Sequence, residues 1–92
     1  MSQEFDWDDA KARSNVRRHR VPFKEAASVF SDPSALTMRD RAHSRVEDRY
    51  LIVGMSDHGR VLAIIYTYRG RTIRIITAHR ATQRERRTYE QR

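Results

Sequence analysis

The chain contains no cysteine. A disulfide staple, a thiolate zinc site and a cysteine nucleophile are therefore all excluded. Glycine and proline are scarce, three and two among 92 residues, and no glycine-rich phosphate loop is present. Long apolar runs are missing too. The longest, "VLAIIY", is far too short to span a bilayer, and no signal-peptide pattern opens the chain. A cytoplasmic protein without membrane association is the simplest expectation. With no repeat and no low-complexity linker, residues 1–92 read as one domain with a small core.

What the chain has in excess is arginine. The net charge is +7, yet Glu4, Asp6, Asp8 and Asp9 open the chain with no base among them, so the remainder is more basic still. Of the 19 basic residues all but Lys11 and Lys24 are arginine. Its planar guanidinium grips a phosphate through two parallel hydrogen bonds, which the point charge of lysine cannot do. A surface of this kind attracts polyanions and releases their counterions. An arginine-rich but merely solvated surface is the bland alternative.

The order of elements is legible. "QEFDW" reads as a short strand laying Phe5 and Trp7 on one face. Asp8 then caps a helix that runs to about His19, with Ala12, Val16 and His19 as a weak buried stripe. Pro22 suits the first turn of a second helix, whose Phe23, Ala26, Ala27 and Phe30 form an amphipathic face. Asp32 before Pro33 stops it. "ALTM" is a short strand and "RDRAHSR" a charged loop. "RYLIVGM", "RVLAIIYTY" and "RTIRIITA" are strands joined by turns at Gly59 and Gly70. Thr82 and Glu85 match a capping box for a final helix from about residue 83. The expected fold is α+β: two N-terminal helices packed on a curled, four-to-five-stranded antiparallel sheet, with a basic C-terminal helix.

A two-residue turn at Arg69–Gly70 pairs Tyr68 with Arg71 and Ile65 with Arg74. It puts Leu62, Ile64, Tyr66, Ile73 and Ile75 on a core face. The other face carries Ala63, Ile65, Thr67, Thr72, Arg74 and Ile76. Arg74 stands out there: a mid-strand charge needs a partner or water. It is either ion-paired to a helix carboxylate or a phosphate clamp. Regular parity puts Arg80 on the side of Arg74 and His79 on the opposite side. Arg84 and Arg87 lie one turn apart on the last helix and extend the basic patch, while Tyr89 is its one sizeable apolar anchor.

Lys11, Asn15 and His19 form one stripe on the first helix, able to hold phosphate or move a proton. Hydrogen bonding of Asn15 and His19 to the loop at Val21 is the structural alternative. His43, His58 and His79 complete the histidines. No pair has helical metal-ligand spacing, so neither a metal site nor a cofactor is expected. His58 reads as a turn residue.

Both ends of the chain resemble one family. "FDWDDAKARSNVRRHRVPFKEAASVFSDP" is similar to the opening signature of the BrnT toxins, and "IRIITAHRATQRERRTYE" to their closing one. The matching positions are Trp7, Asp8, Lys11, Asn15, His19, Arg74, Arg80, Glu85, Arg86 and Tyr89. The resemblance implies a RelE/ParE-like fold and a ribonuclease toxin of a type II toxin–antitoxin pair. It also implies a ribbon-helix-helix antitoxin, BrnA-like, that masks the toxin and binds operator DNA, which the toxin meets only through the complex. Three positions depart from the family pattern. Arg20 stands where glycine usually follows the histidine, His79 where arginine is usual, and Thr77 where serine is.

Metal-independent RNA cleavage needs a base for the 2′-hydroxyl, cations for the developing charge and an acid for the leaving oxygen. Arg74 and Arg80 are assigned to phosphate stabilisation, and His79 and His19 to acid–base work. Lys11, Asn15, Arg84 and Arg87 are assigned to RNA binding, and Arg86 and Tyr89 to partner docking. The rival reading is a non-catalytic module that grips nucleic acid or inhibits a protein target.

Overall fold

The computed structural model describes residues 2–43, 45 and 47–91; Ser44 of the expected charged loop and Arg92 of the terminal arginine run lie outside the described residues. The elements run β1 (Phe5–Asp6), α1 (Asp9–His19), α2 (Phe23–Ser28), β2 (Leu36–Arg39), β3 (Tyr50–Met55), β4 (Val61–Arg69), β5 (Thr72–Arg80) and α3 (Gln83–Glu90). Short 3-10 turns cover Val29–Ser31 and Arg41–His43. The class is α+β, as expected.

The sheet order is β1-β5-β4-β3-β2. Three pairings are antiparallel, but β1 runs parallel to β5, with Phe5 beside Ile73 and Asp6 beside Arg74. The sheet is therefore mixed rather than wholly antiparallel. The physical reason is α1: it carries the chain from β1 back over the sheet before the meander begins, so β1 meets the last strand rather than the first.

The caps explain the helices. The Asp8 carboxylate accepts from the Lys11 amide at 2.9 Å, satisfying a first-turn donor. Pro22 sits one place before α2, as its cap, rather than inside the first turn. Asp32 is extended, with φ −77° and ψ 112°, which ends the second helical segment before Pro33. At α3 the capping box closes in both directions: Glu85 donates its amide to Thr82 Oγ1 at 3.1 Å, and Thr82 donates to Glu85 Oε1 at 2.8 Å.

The main core lies between α1, α2 and one sheet face. Val21, Phe23, Ala26 and Val29 pack there on Leu62, Ile64, Tyr66, Ile73 and Ile75, with Ala27 and Phe30 partly buried against them. Phe5 meets Phe30 and Trp7 meets Phe23, at ring separations of 5.3 and 5.9 Å. The stripe expected on α1 fails at two of its three positions: Val16 and His19 are exposed, and only Ala12 is partly buried. Val16 is 39% exposed, and Asn15 is the residue of α1 that is buried, at 5%.

On the opposite face, α3 seats Tyr89 against Val53, Val61 and Ala63 in a second core. Tyr89 is only 8% exposed, and its hydroxyl donates to Asp32 Oδ2 at 2.6 Å. The side chain, assigned to partner docking from the sequence, is here part of the packing of the fold. Gly54 makes the arrangement possible. A Cβ there would stand 2.8 Å from Ala35 Cβ and 3.0 Å from Asp32 Oδ2, so a side chain would push Asp32 away from the Met55 amide, which donates to it at 2.8 Å.

Two features of β4 and β5 correct the sequence reading. Gly70, with φ 61°, takes the first of two loop positions, so Arg69 pairs with Thr72 and Thr67 with Arg74. The expected Tyr68–Arg71 and Ile65–Arg74 pairs are thus not formed. The shift moves partners by two, so each residue keeps its face. The second feature is a bulge. Tyr66 pairs with Ile75 but Ile65 with Thr77, leaving Ile76 as the extra residue. Beyond it the faces exchange, so His79 shares the side of Arg74 and Arg80 points to the other, the reverse of what regular parity gives.

Candidate active site

The bulge opens the site. Among the described residues β1 accompanies β5 only at Ile73 and Arg74, and past those no strand lies beside the outer edge of β5. Asn15 of α1 fills part of that gap. Its amide nitrogen donates to Ala78 O at 2.8 Å and to Val21 O at 2.9 Å, and its oxygen accepts from Ala78 N at 3.1 Å. One side chain thereby pairs with the strand edge as a neighbouring strand would. The expected bond to Val21 is present. Both amide hydrogens are thereby used on backbone carbonyls, and Asn15 also lines the cavity beside them.

Beside this strut lies a cavity of about 150 Å³ lined by Lys11, Ser14, Asn15, Arg18, His19, Ile76 and Thr77. A second, of about 370 Å³, is lined by Asp40, Arg49, Leu51, Ile65, Ile76, Thr77, His79 and Glu85. The two share Ile76 and Thr77, at the bulge. His19, at the C-terminal end of α1, and His79, on β5, approach with ring centroids 6.0 Å apart. His79 Nε2 lies 3.1 Å from Glu85 Oε1, the same oxygen that accepts the Thr82 amide. An ionised carboxylate only accepts, so this contact makes Nε2 the protonated nitrogen and leaves Nδ1 as a base when the ring is neutral.

Lys11 and His19 line the smaller cavity and His79 the larger, with the two imidazoles near each other. Ser14, Arg18 and Thr77 join them without having been assigned a role, and Glu85, read only as a capping residue, contacts His79 as well. Ser14 and Arg18 follow Lys11 at i+3 and i+7, the helical spacing that would have revealed them. Arg49 lines the larger cavity although no role was assigned to it, whereas most of the arginines singled out from the sequence stand elsewhere. Arg74 lines neither cavity; it is paired to Asp6 Oδ1 at 3.3 Å with 29% of its side chain exposed. Its partner belongs to β1, not to a helix. Arg80 is exposed beyond the bulge, Arg87 is exposed on α3, and Arg86 pairs with Glu90 at 3.1 Å. Arg84 lines a further groove with Leu36, Met38 and Val53, which shares Leu51 and Glu85 with the second cavity.

Arg20 follows His19 in the left-handed region, with φ 60° and ψ 31°, and its amide donates to Val16 O. The left-handed stop is thus kept although the residue is not glycine.

A family model described as the ribonuclease toxin, BrnT, of type II toxin–antitoxin systems matches residues 7–85. The chain belongs to the BrnT family. The matched span holds both histidines, the strut and the capping glutamate, and stops before Tyr89. The crystal structure of the Brucella abortus ribonuclease toxin, BrnT, is similar to this fold with a TM-score of 0.70, covering 89% of this chain and 100% of that one at 21% identity. That likeness concerns the fold. No curated protein sequence matches the chain at significance. As a BrnT family member it is a ribonuclease toxin of a type II system, with an antitoxin as its counterpart. Among the described residues, no helix is long and apolar enough to cross a membrane.

Proposed function

We propose that the chain cleaves RNA without a metal ion, using His79 and His19 as base and acid across the joined cavities. The observation that carries this reading is the His79–Glu85 contact at 3.1 Å, with the His19 ring 6.0 Å away and Lys11 and Arg18 beside it. Neutral His79 takes the 2′-hydroxyl proton at Nδ1. The freed oxygen attacks the adjacent phosphorus, and the bond from phosphorus to the 5′-oxygen breaks. Protonated His19 gives its proton to that oxygen. The products are a 2′,3′-cyclic phosphate and a free 5′-hydroxyl. Lys11 and Arg18 stabilise the charge that builds on the phosphate in between.

Arg74, Arg80, Arg84 and Arg87 grip the RNA backbone away from the scissile phosphate. A ribbon-helix-helix antitoxin neutralises the toxin, with Arg86 in the docking surface. The test is to incubate purified protein with RNA in excess EDTA and analyse the product ends. Cyclic phosphate termini are expected. Binding without cleavage, or cleavage that EDTA abolishes, would contradict the reading.

A further inference from the structure

A polar cluster outside the cavities has no part in the chemistry described so far. Glu25 of α2 is 4% exposed, and Arg60, just before β4, donates to it through Nε at 3.0 Å and also through Nη2. Ser56 Oγ donates to the same carboxylate at 2.7 Å, and the Ser56 amide bonds Arg60 O at 2.8 Å. These bonds fix the guanidinium at the end of the β3–β4 hairpin. The carboxyl of Glu25 is held down to about 2, chiefly by the Arg60 hydrogen bonds, so the pair stays ionised at neutral pH.

One donor of that guanidinium leaves the cluster. Arg60 Nη2 reaches the carbonyl of Arg20 at 3.1 Å. Arg20 is the one non-glycine residue with positive φ among the described residues. An L side chain in that conformation is disfavoured, so the turn needs an outside hold. It has two. Arg60 binds the Arg20 carbonyl, and Asn15 binds the next, that of Val21, at 2.9 Å. Asn15 also binds Ala78, the neighbour of His79. His19 is the residue directly before this doubly held turn.

We propose that Arg60 is a positioning residue of the ribonuclease site, which ties the left-handed turn after His19 to the buried Glu25 carboxylate and thereby sets the His19 imidazole against His79. This rests on the reading of the two histidines as the reacting pair. Arg60 touches neither histidine in the contacts above; it acts through the backbone of Arg20. A guanidinium suits the task because its fork bonds a carboxylate and a carbonyl at once, whereas lysine offers one compact charge.

The test uses Arg60→Lys and Arg60→Lys with Arg20→Gly. The lysine keeps a charge beside Glu25 but loses the second arm. Single-turnover cleavage should fall by about tenfold to a hundredfold, the scale of a small misplacement of a reacting group, with KM little changed. Glycine accepts positive φ freely, so Arg20→Gly should restore most of the rate. The NMR signals of the His19 ring should shift in the single variant and return in the double one. If Arg60→Lys fails to fold, Glu25→Gln with Arg60→Met removes both charges together, and its rate should likewise be rescued by Arg20→Gly. Wild-type cleavage in the lysine or the Gln–Met variant, or a slow variant that glycine does not rescue, would overturn the proposal. His19→Ala run in parallel separates the two levels. If it cleaves normally, the histidine reading itself fails; if it is inactive while the Arg60 variants are unimpaired, only the positioning role fails.

Discussion

The hydroxyl of Tyr89 donates to the carboxylate of Asp32 at 2.6 Å, joining the last helix to the residue that ends the second helical segment. Asp32 Oδ2 also accepts the Met55 amide at 2.8 Å, so one side chain links α3, the sheet and the loop before β2. The two ends of the sequence that carry the BrnT signatures are thus in direct contact.

Removal of Tyr89 should accordingly unsettle the fold. Tyr89→Ala should cost roughly 3 kcal/mol through the cavity it leaves, and Tyr89→Phe about 1 kcal/mol through the lost hydrogen bond. Truncation after Ala81 should lower the melting temperature sharply, because the Tyr89 packing and its bond to Asp32 are lost together. Urea denaturation of the three proteins checks this; a truncated chain as stable as the parent would make α3 a detachable surface.

Asn15→Ala should destabilise by about 2 to 3 kcal/mol, because buried polar groups of Val21 and Ala78 lose their partner. Were Asn15 an RNA contact alone, affinity would fall while stability stayed constant. Thermal melts beside RNA titrations distinguish the two outcomes.

For Arg74 the structure predicts a modest effect. Its pair with Asp6 is partly exposed, so Arg74→Ala should change stability by less than about 1 kcal/mol. If it grips a flanking phosphate, RNA binding weakens and the slope of log affinity against log salt falls by about 1. An unchanged slope would remove Arg74 from the RNA track.

Acid should loosen the clamp. The Glu25 carboxyl titrates at about 2 in the folded protein against an ordinary value of 4.5. A depressed folded value means that its contribution is full above the unfolded value and is lost as pH falls from there toward 2. Glu25→Gln should cost roughly 3 kcal/mol at neutral pH, since Arg60 keeps its charge without a carboxylate, and should flatten the decline below pH 4.5. A decline of the same steepness in the variant would assign it to other carboxylates.

Periodicity and turn chemistry are local, and what depended on them was readable. The alternation in "VLAIIYTY" and "TIRIITA" separates the core face from the other, and a one-step error in the turn leaves that separation intact because side chains alternate with period two. Asp8, Thr82 and Glu85 announce their helices through capping chemistry within four residues. The parallel pairing of β1 is a long-range choice that no local pattern carries. The bulge at Ile76 is equally silent, yet it decides that His79, not Arg80, shares the face of Arg74. Tyr89 looked sparse on a helix with few apolar neighbours, but its partners, Val53, Val61 and Ala63, come from two distant strands. Lys11, Asn15 and His19 were visible as a stripe; that Asn15 binds backbone depends on Ala78, which the sequence places far away.

The central claim is that His79, oriented by Glu85, works with His19 in metal-free RNA cleavage. The most direct test is single-turnover cleavage of RNA in EDTA by the parent chain and by His79→Ala. The account predicts cyclic phosphate ends from the parent, and a loss of at least about a hundredfold in the variant, with its melting temperature little changed. Undiminished cleavage by His79→Ala would contradict it.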